Sequence, residues 1–224
     1  MATYTVTTVS DAVAPGDGLL SLREALAMAD AIEAADTIEF TADLANQTIV
    51  LQQGQLTIAS DVTVDGGDLG ITIDANGESR VLHLQGGAEV TLDGVTITGG
   101  RITDDGSSEA MNYGGGIFTD DDTSLTLLRT GVIGNTTEVG NGGGIAANGD
   151  LVLRDSAVTG NFAHFTGGGI YAGLVGSSIT LTNSTVADNR AGVASGVFFP
   201  KGDVSITDST LTGNVAPSSP PAGA

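Results

Sequence analysis

Cysteine is absent from this 224-residue chain, tryptophan is absent too, and basic residues are scarce. Without cysteine the protein has no disulfide, no thiolate nucleophile and no cysteine-ligated zinc site. No apolar run reaches the roughly 18 residues that a membrane-spanning helix needs. Seven Lys and Arg against 27 acidic residues give a formal charge of −20, and affinity for phosphate depends on clustered basic side chains. We therefore expect neither nucleic acid nor membrane insertion among its interactions.

Aromatic residues are also few, with six Phe and three Tyr beside 34 Gly. A core made from such a sequence must consist of Val, Ile, Leu and small residues, as in thin β-coils. The chain is long enough for one such domain, which we place at residues 1–215. The Pro-rich residues 216–224 are interpreted as a tail or linker.

An internal repeat dominates the second half of the chain. Phrases of 11 residues, each ending in Asn, start 26, 28 and 25 residues apart, at Leu125, Leu151, Ile179 and Val204. Between them lies a second phrase, GGGI, at Gly114–Ile117, Gly142–Ile145 and Gly167–Ile170, with a degraded copy at 195–197. Self-similarity at this period indicates a solenoid.

Apolar and polar residues alternate within each phrase, as in Val204-Ser205-Ile206. This is the period of a strand with one buried face. Glycine and Asn-Gly turns divide each repeat into three short strands. The sequence thus predicts an all-β protein, a right-handed, single-stranded parallel β-helix, with its first coils at 47–100 and regular coils at 114–215.

The recurring asparagines have a structural interpretation in such a fold. A residue at one place in every coil stacks on its own copies, so the side-chain amides are predicted to form an inward-facing ladder at a tight turn. The alternative is a binding row on the surface. The four positions are Asn135, Asn161, Asn189 and Asn214.

The only convincing helix lies near the N-terminus, within an N-terminal strand and cap at residues 3–40. Ser21 is predicted to be its N-cap, and Glu24 three residues later completes a capping box. Leu22 and Leu26 lie on its apolar face. A solenoid exposes its hydrophobic bore at each end, so we expect this helix to cover the first coil.

The segment SLREALAMADA from Ser21 to Ala31, with the strand spacing that follows it, resembles the CSLREA domain of bacterial surface and secreted proteins. The resemblance covers roughly residues 3–100, and Leu20 replaces the cysteine that is usual in that family. Coils after Gly100 resemble, more loosely, the repeats of polymorphic outer-membrane proteins. These resemblances imply a β-helix exported to the cell surface or medium, and no known chemistry.

The N-terminus resembles proteins exported by a type I-like route that needs no signal peptide. We therefore expect an extracellular or cell-surface location and a longer native protein of which this chain is the N-terminal piece.

Residues 101–113 are predicted to be an inserted loop, because the phrase that starts at Val90 precedes the next one by 35 residues. Loops on rigid scaffolds often carry function, so this loop is a candidate contact.

Acidic residues cluster in two predicted loops. They are Asp104 and Asp105 in the insertion, and Asp120, Asp121 and Asp122 after the first GGGI. Neighbouring residues on a strand point to opposite faces, so these pairs are poorly placed for glycoside hydrolysis. We interpret them as solvated turn residues, with a weak calcium site as the alternative.

Candidate bases for lyase chemistry are His83 and His164, and neither has an evident carboxylate partner in the sequence. Several aromatic residues fall in neighbouring coils, namely Phe162, Phe165, Tyr171, Phe198 and Phe199. We expect them to pack as a stack, and an exposed platform for sugars is the alternative.

The sequence therefore favours a non-enzymatic structural or adhesive module without a cofactor. Its partners would be other copies of itself, paired through an uncapped C-terminal edge, or further coils of a longer chain. Two alternatives remain: a polysaccharide lyase or epimerase, since parallel β-helices house both, and a calcium-dependent glycan-binding module.

Overall fold

Successive coils of the chain lie on one another in parallel register, and this confirms the parallel β-helix. The computed structural model describes residues 1–31, 34–103, 112–173 and 177–216. In these ranges about six coils stack along one axis. Most of the insertion and of the tail, residues 104–111 and 217–224, lies outside them.

Four parallel sheets form the walls, with strands numbered in chain order. The eight-stranded sheet runs in the order β1 (Thr3–Val6), β2 (Asp36–Phe40), β5 (Val62–Asp65), β8 (Glu89–Asp93), β12 (Ser124–Leu128), β16 (Leu151–Arg154), β20 (Ser178–Thr182) and β24 (Asp203–Thr207). The seven-stranded sheet contains β3 (Thr48–Val50), β6 (Ile71–Asp74), β9 (Val95–Thr98), β13 (Gly131–Ile133), β17 (Ala157–Thr159), β21 (Thr185–Ala187) and β25 (Thr210–Thr212).

The six-stranded sheet closes each coil and contains β4 (Leu56–Ile58), β7 (Leu82–Leu84), β11 (Ile117–Thr119), β15 (Ile145–Ala147), β19 (Ile170–Ala172) and β23 (Val197–Phe198). The prediction of three strands per coil is wrong for the later coils. There a four-stranded sheet lies between the seven- and six-stranded ones, with β10 (Arg101–Ile102), β14 (Thr136–Thr137), β18 (Phe162–Thr166) and β22 (Arg190–Val193). The residues after each ladder Asn extend as a short strand because the next coil offers the same segment as a partner.

The observed register matches the alignment of the 11-residue phrases. Leu125 pairs with Leu151, which pairs with Ile179, and Ile179 pairs with Val204. Side chains alternate along each strand, so identical inward positions stack into columns. One such column consists of Val64, Leu92, Leu127, Leu153 and Leu181, all buried. Each buried side chain of this kind contributes about 1.5–3 kcal/mol.

A single helix, α1 (Leu22–Asp30), covers the N-terminal end of the bore. Its buried face consists of Leu22, Ala25, Leu26 and Ala29, and it packs on β1, β2 and β4. The first strand, β1, ends at Val6, within the predicted N-terminal strand and cap. A short 3-10 helix, Ala42–Leu44, follows β2.

The last coil lacks such a cover among the described residues. β24 is the final strand of the eight-stranded sheet and β25 the final strand of the seven-stranded one. Their inward side chains Val204, Ile206 and Leu211 are 47%, 46% and 44% exposed. The equivalent residues one coil earlier, Ile179 and Leu181, are buried.

Candidate functional site

The four predicted ladder asparagines lie on one another at the turn between the seven- and four-stranded sheets. The amide nitrogen Nδ2 of Asn135 donates to Oδ1 of Asn161 at 3.2 Å. Nδ2 of Asn161 donates to Oδ1 of Asn189 at 2.9 Å, and Nδ2 of Asn189 donates to Oδ1 of Asn214 at 3.0 Å. The first three are completely buried, so they are not a surface binding row.

Each ladder amide also satisfies the main chain. Oδ1 of Asn161 accepts from the main-chain N–H of Asn135 at 2.9 Å, and its Nδ2 donates to the Val132 carbonyl at 2.9 Å. At the start of the ladder Gly100 takes the place of Asn, and its N–H donates to Oδ1 of Asn135. Such a row stabilises the turns, because buried polar groups without partners cost about 1–3 kcal/mol each.

Glycine in the GGGI phrases makes room for this ladder. A Cβ on Gly144 would lie 2.9 Å from Nδ2 of Asn161 and 2.7 Å from the Gly169 carbonyl oxygen. Equivalent collisions occur at Gly116 and Gly169. The glycines therefore have a packing role, because neighbouring coils approach each other closely there.

A second ladder, which was not predicted from the sequence, lies at the turn between the eight- and seven-stranded sheets. The Thr130 N–H donates to Oγ of Ser156 at 3.1 Å, and the Ser156 N–H to Oγ of Ser184 at 3.2 Å. Ser184 continues this row to Ser209 at 3.0 Å. Each member precedes its ladder Asn by five residues, and this constant spacing was the available signal.

The predicted N-cap and capping box close the start of α1. Oγ of Ser21 accepts from the Glu24 N–H at 3.2 Å, while the Glu24 carboxylate accepts from the Ser21 N–H at 3.0 Å. Glu24 also accepts from the Ala14 N–H at 2.8 Å. Hydrogen bonds from the Ser21 and Ala14 main chain lower the pKa of Glu24.

Arg23, in the middle of the SLREA motif, anchors the cap to the first coil. Its Nε and Nη2 donate to the two carboxylate oxygens of buried Asp11 at 2.8 and 2.9 Å. Further donations reach the carbonyls of Gln55 and Gly54. Oδ2 of Asp11 also accepts from the N–H groups of Gln52 and Gln53. This ion pair was not predicted from the sequence, because Asp11 lies in an irregular segment.

Aromatic rings form a column on the outer face of the six-stranded sheet. Tyr171 stacks on Phe198 with centroids 5.5 Å apart and planes 5° apart. The column continues through Tyr113 and Phe118 at 5.6 and 6.3 Å. Ring faces are thus turned toward other rings, which favours the packed stack over a platform for sugars. Of the five predicted members only Tyr171 and Phe198 belong to this column. Phe162, Phe165 and Phe199 lie outside it, and Phe165 contacts His164 edge to face.

Arg80 holds the end of the insertion against the column. Its guanidinium donates to the carbonyls of Tyr113 and Gly114 at 2.7–3.1 Å and lies 5.1 Å from the Phe118 ring centroid. Burial lowers the pKa of Arg80 to about 10, although the Asp120 charge opposes that shift. The arginine is still a cation at neutral pH.

His83 has a carboxylate partner, contrary to the expectation from sequence. Its Nε2 lies 3.0 Å from Oδ1 of Asp120, and its Nδ1 lies 3.4 Å from the amide of Gln55. The partner is 37 residues away and reaches His83 only because their coils stack. Both ring nitrogens of His83 therefore have a partner within the protein.

The three acidic residues at 120–122 line an open cleft of about 650 Å³ with Phe118 and Asn148. In the described ranges no group of three or more metal-ligating side chains converges on a point. Asp104 and Asp105 lie outside those ranges.

No helix in the part of the chain that the structure describes has the length and apolar character to cross a membrane.

Comparison with solved structures gives a likeness in fold. No family model and no curated protein matches the sequence. The crystal structure of Jun a 1, the major allergen from cedar pollen, matches with a TM-score of 0.50 and 16% sequence identity. The match covers 94% of this chain and 65% of the allergen, so the chain spans less than two thirds of that protein's length. At this identity the likeness shows that both proteins share the β-helix fold.

Proposed function

We propose that this chain is a non-enzymatic structural and adhesive module of a secreted or cell-surface protein, and that it associates with other copies through its C-terminal end. The observation that carries the proposal is the difference between the two ends. α1 buries its apolar face in the N-terminal bore, whereas Val204, Ile206 and Leu211 remain exposed on the last coil.

Exposure of this kind has a cost in water. Apolar side chains at core positions lose the burial that stabilises every earlier coil, and an unpaired edge strand is a template for another strand. Pairing with a further rung removes both costs. We therefore assign an assembly role to the C-terminal end.

The ion pairs of three arginines also support a structural role. Arg23, Arg101 and Arg129 are bound to Asp11, Glu138 and Asp93, respectively. A lyase acting on a uronate needs a cation and a base that face the sugar. These cations face carboxylates of the protein itself instead.

Light scattering during size-exclusion chromatography tests the proposal. We expect the 224-residue chain to form a species larger than a monomer whose fraction rises with concentration. Ile206→Glu places a charge on the exposed end and is expected to give a monomer. Ile133→Glu is the matched control, since Ile133 is 41% exposed on the side of the coil, and it should associate like the wild type.

A strictly monomeric wild type at high concentration would contradict the proposal, and so would an unchanged Ile206→Glu variant. A second assay addresses the enzyme alternative directly. Incubation with polygalacturonate, followed by ultraviolet absorbance of unsaturated products, is expected to show no turnover. Turnover that survives further purification would replace the structural role by a lyase.

A further inference from the structure

From the edge of β24 we infer that two copies join end to end about a two-fold axis, with β24 of one copy antiparallel to β24 of the other and Ser205 opposite Ser205. This inference rests on the proposed self-association and specifies its geometry. It follows from the bonding pattern of β24, the symmetry of identical ends, and the charges on the strand.

The main-chain groups that are free on β24 follow from its pairing with β20. The two strands are parallel with Ile179 opposite Val204 and Leu181 opposite Ile206, and the Asn183 N–H donates to the Thr207 carbonyl at 3.1 Å. Alternate residues of a parallel strand bond to the same neighbour. Residues 203, 205 and 207 therefore bond to β20, and the N–H and C=O groups of Val204 and Ile206 point to the open edge.

An antiparallel copy of the same strand uses these four groups in one register. Placing Val204 opposite the second copy's Ile206 allows both N–H to C=O bonds of a hydrogen-bonded pair, and symmetry repeats them. The two-fold axis then passes through Ser205. If the axis passed through Val204, Val204 would pair with its own copy and Ile206 would lie opposite Gly202. If it passed through Ile206, Ile206 would pair with its own copy and Val204 would lie opposite Asp208.

The same register suits the side chains. Val204 and Ile206 point into the bore on both copies, so the apolar core continues across the junction. Asp203 lies opposite Thr207 of the second copy, which keeps the two Asp203 carboxylates at opposite ends of the strand pair. In a protein with a charge of −20, this separation limits repulsion where the copies meet.

Head-to-tail stacking is blocked because α1 lies over the N-terminal end, against β1, β2 and β4. Two identical C-terminal ends can meet only through a two-fold axis. That axis brings the β25 side of one copy over the β23 side of the other, because these sheets flank the eight-stranded sheet. The chain advances along the solenoid axis as it passes from β23 through β24 to β25. At the C-terminal end β25 therefore protrudes beyond β24, and β23 is recessed by a similar amount. The protruding side of each copy meets the recessed side of the other, so the two ends match in outline.

Single-cysteine variants test this register, and the cysteine-free sequence makes each one unique. In the proposed dimer the two Ser205 residues form a non-hydrogen-bonded pair with Cα atoms about 4.5 Å apart, which a disulfide can span. Ser205→Cys is therefore expected to form a covalent dimer under mild oxidation. Thr207→Cys is the matched control on the same strand, because its copies would lie about 13 Å apart.

A mixing experiment makes the test stricter. Asp203→Cys and Thr207→Cys should each stay uncrosslinked alone and should crosslink to each other when mixed, because residues 203 and 207 lie opposite. Circular dichroism of the reduced variants checks that each one is folded, and all three positions are exposed on the outer face.

The outcomes separate this inference from the proposed function. A dimer in light scattering without a Ser205→Cys crosslink, or with an equally efficient Thr207→Cys crosslink, would overturn the β24 register and leave self-association standing. A monomeric wild type would overturn both. Selective crosslinking of Ser205→Cys, together with the mixed 203–207 product, would support both.

Discussion

Oδ1 of Asn189 accepts two hydrogen bonds from Asn161, one from its Nδ2 at 2.9 Å and one from its main-chain N–H at 3.0 Å. Asn161 holds Asn135 in the same way one coil earlier. Each amide thus ties the turn that carries it to the turn of the preceding coil. The repeated asparagines thus connect neighbouring coils.

Replacing the middle of this ladder should be costly. Asn161→Ala removes the acceptor of two buried Asn135 donors and the donor to the Val132 carbonyl. We expect the free energy of unfolding in urea to fall by about 2–5 kcal/mol. Asn183→Ala is the control, because Asn183 is exposed at a turn with φ of 48°, and it should cost about 1 kcal/mol. Equal losses would contradict the ladder.

Close packing of the GGGI glycines makes a second prediction. Gly144→Ala puts a Cβ 2.7 Å from the Gly169 carbonyl oxygen, and the variant is expected to lose about 2–4 kcal/mol of stability. Gly160→Ala is the same substitution at a position where φ is +65° and no atom lies within 4 Å of the added Cβ. Backbone strain alone should cost it about 1–2 kcal/mol. Thermal melts of the two variants give the comparison, and a Gly144→Ala variant as stable as wild type would contradict the predicted collision.

The cap depends on the Arg23–Asp11 pair. Arg23→Ala leaves the buried Asp11 carboxylate without its cation, which typically costs about 3–5 kcal/mol. Hydrogen exchange should then accelerate first in α1 and β1. Arg129→Ala, which breaks an exposed pair with Asp93, should change stability by less than about 1 kcal/mol. An unchanged exchange rate in α1 would show that Arg23 does not hold the cap.

Glu24 gives the stability a defined pH dependence. Its pKa in the folded protein lies below the ordinary value of 4.5, because the Ser21 and Ala14 main-chain groups donate to the carboxylate. A lowered carboxyl pKa stabilises the fold above the ordinary value, and this contribution is lost as pH falls through the folded pKa. Glu24→Gln should therefore be less stable than wild type at neutral pH, and the difference should shrink in acid. A difference that grows in acid would contradict this assignment.

Sequence was informative wherever the fold repeats. Alternation fixed which residues of the 11-residue phrases face inward, so the register of Leu125, Leu151, Ile179 and Val204 followed directly. The Asn positions followed for the same reason. The four-stranded sheet was missed because two-residue strands such as β14 carry no period of their own.

Contacts between different coils were beyond the reach of a single sequence. His83 meets Asp120 across 37 residues, and Arg80 meets the carbonyls of Tyr113 and Gly114 across 33 and 34 residues. Every residue has a main-chain carbonyl, so no residue type in the sequence marks such an acceptor. The length of the insertion between these coils also had to be known before the partners could be placed opposite each other.

The stack itself is tested most directly by the distance between spin labels at Thr37 and Thr180. These outward positions belong to one column, Thr37, Thr63, Thr91, Thr126, Val152 and Thr180, and are separated by five strand spacings. Five spacings of about 4.8 Å place the two Cα atoms about 24 Å apart, although 143 residues separate them in sequence. A narrow distribution near that value, shorter by about 5 Å when the second label is moved to Val152, is the expected result. A broad distribution, or no shortening on that move, would contradict the in-register β-helix.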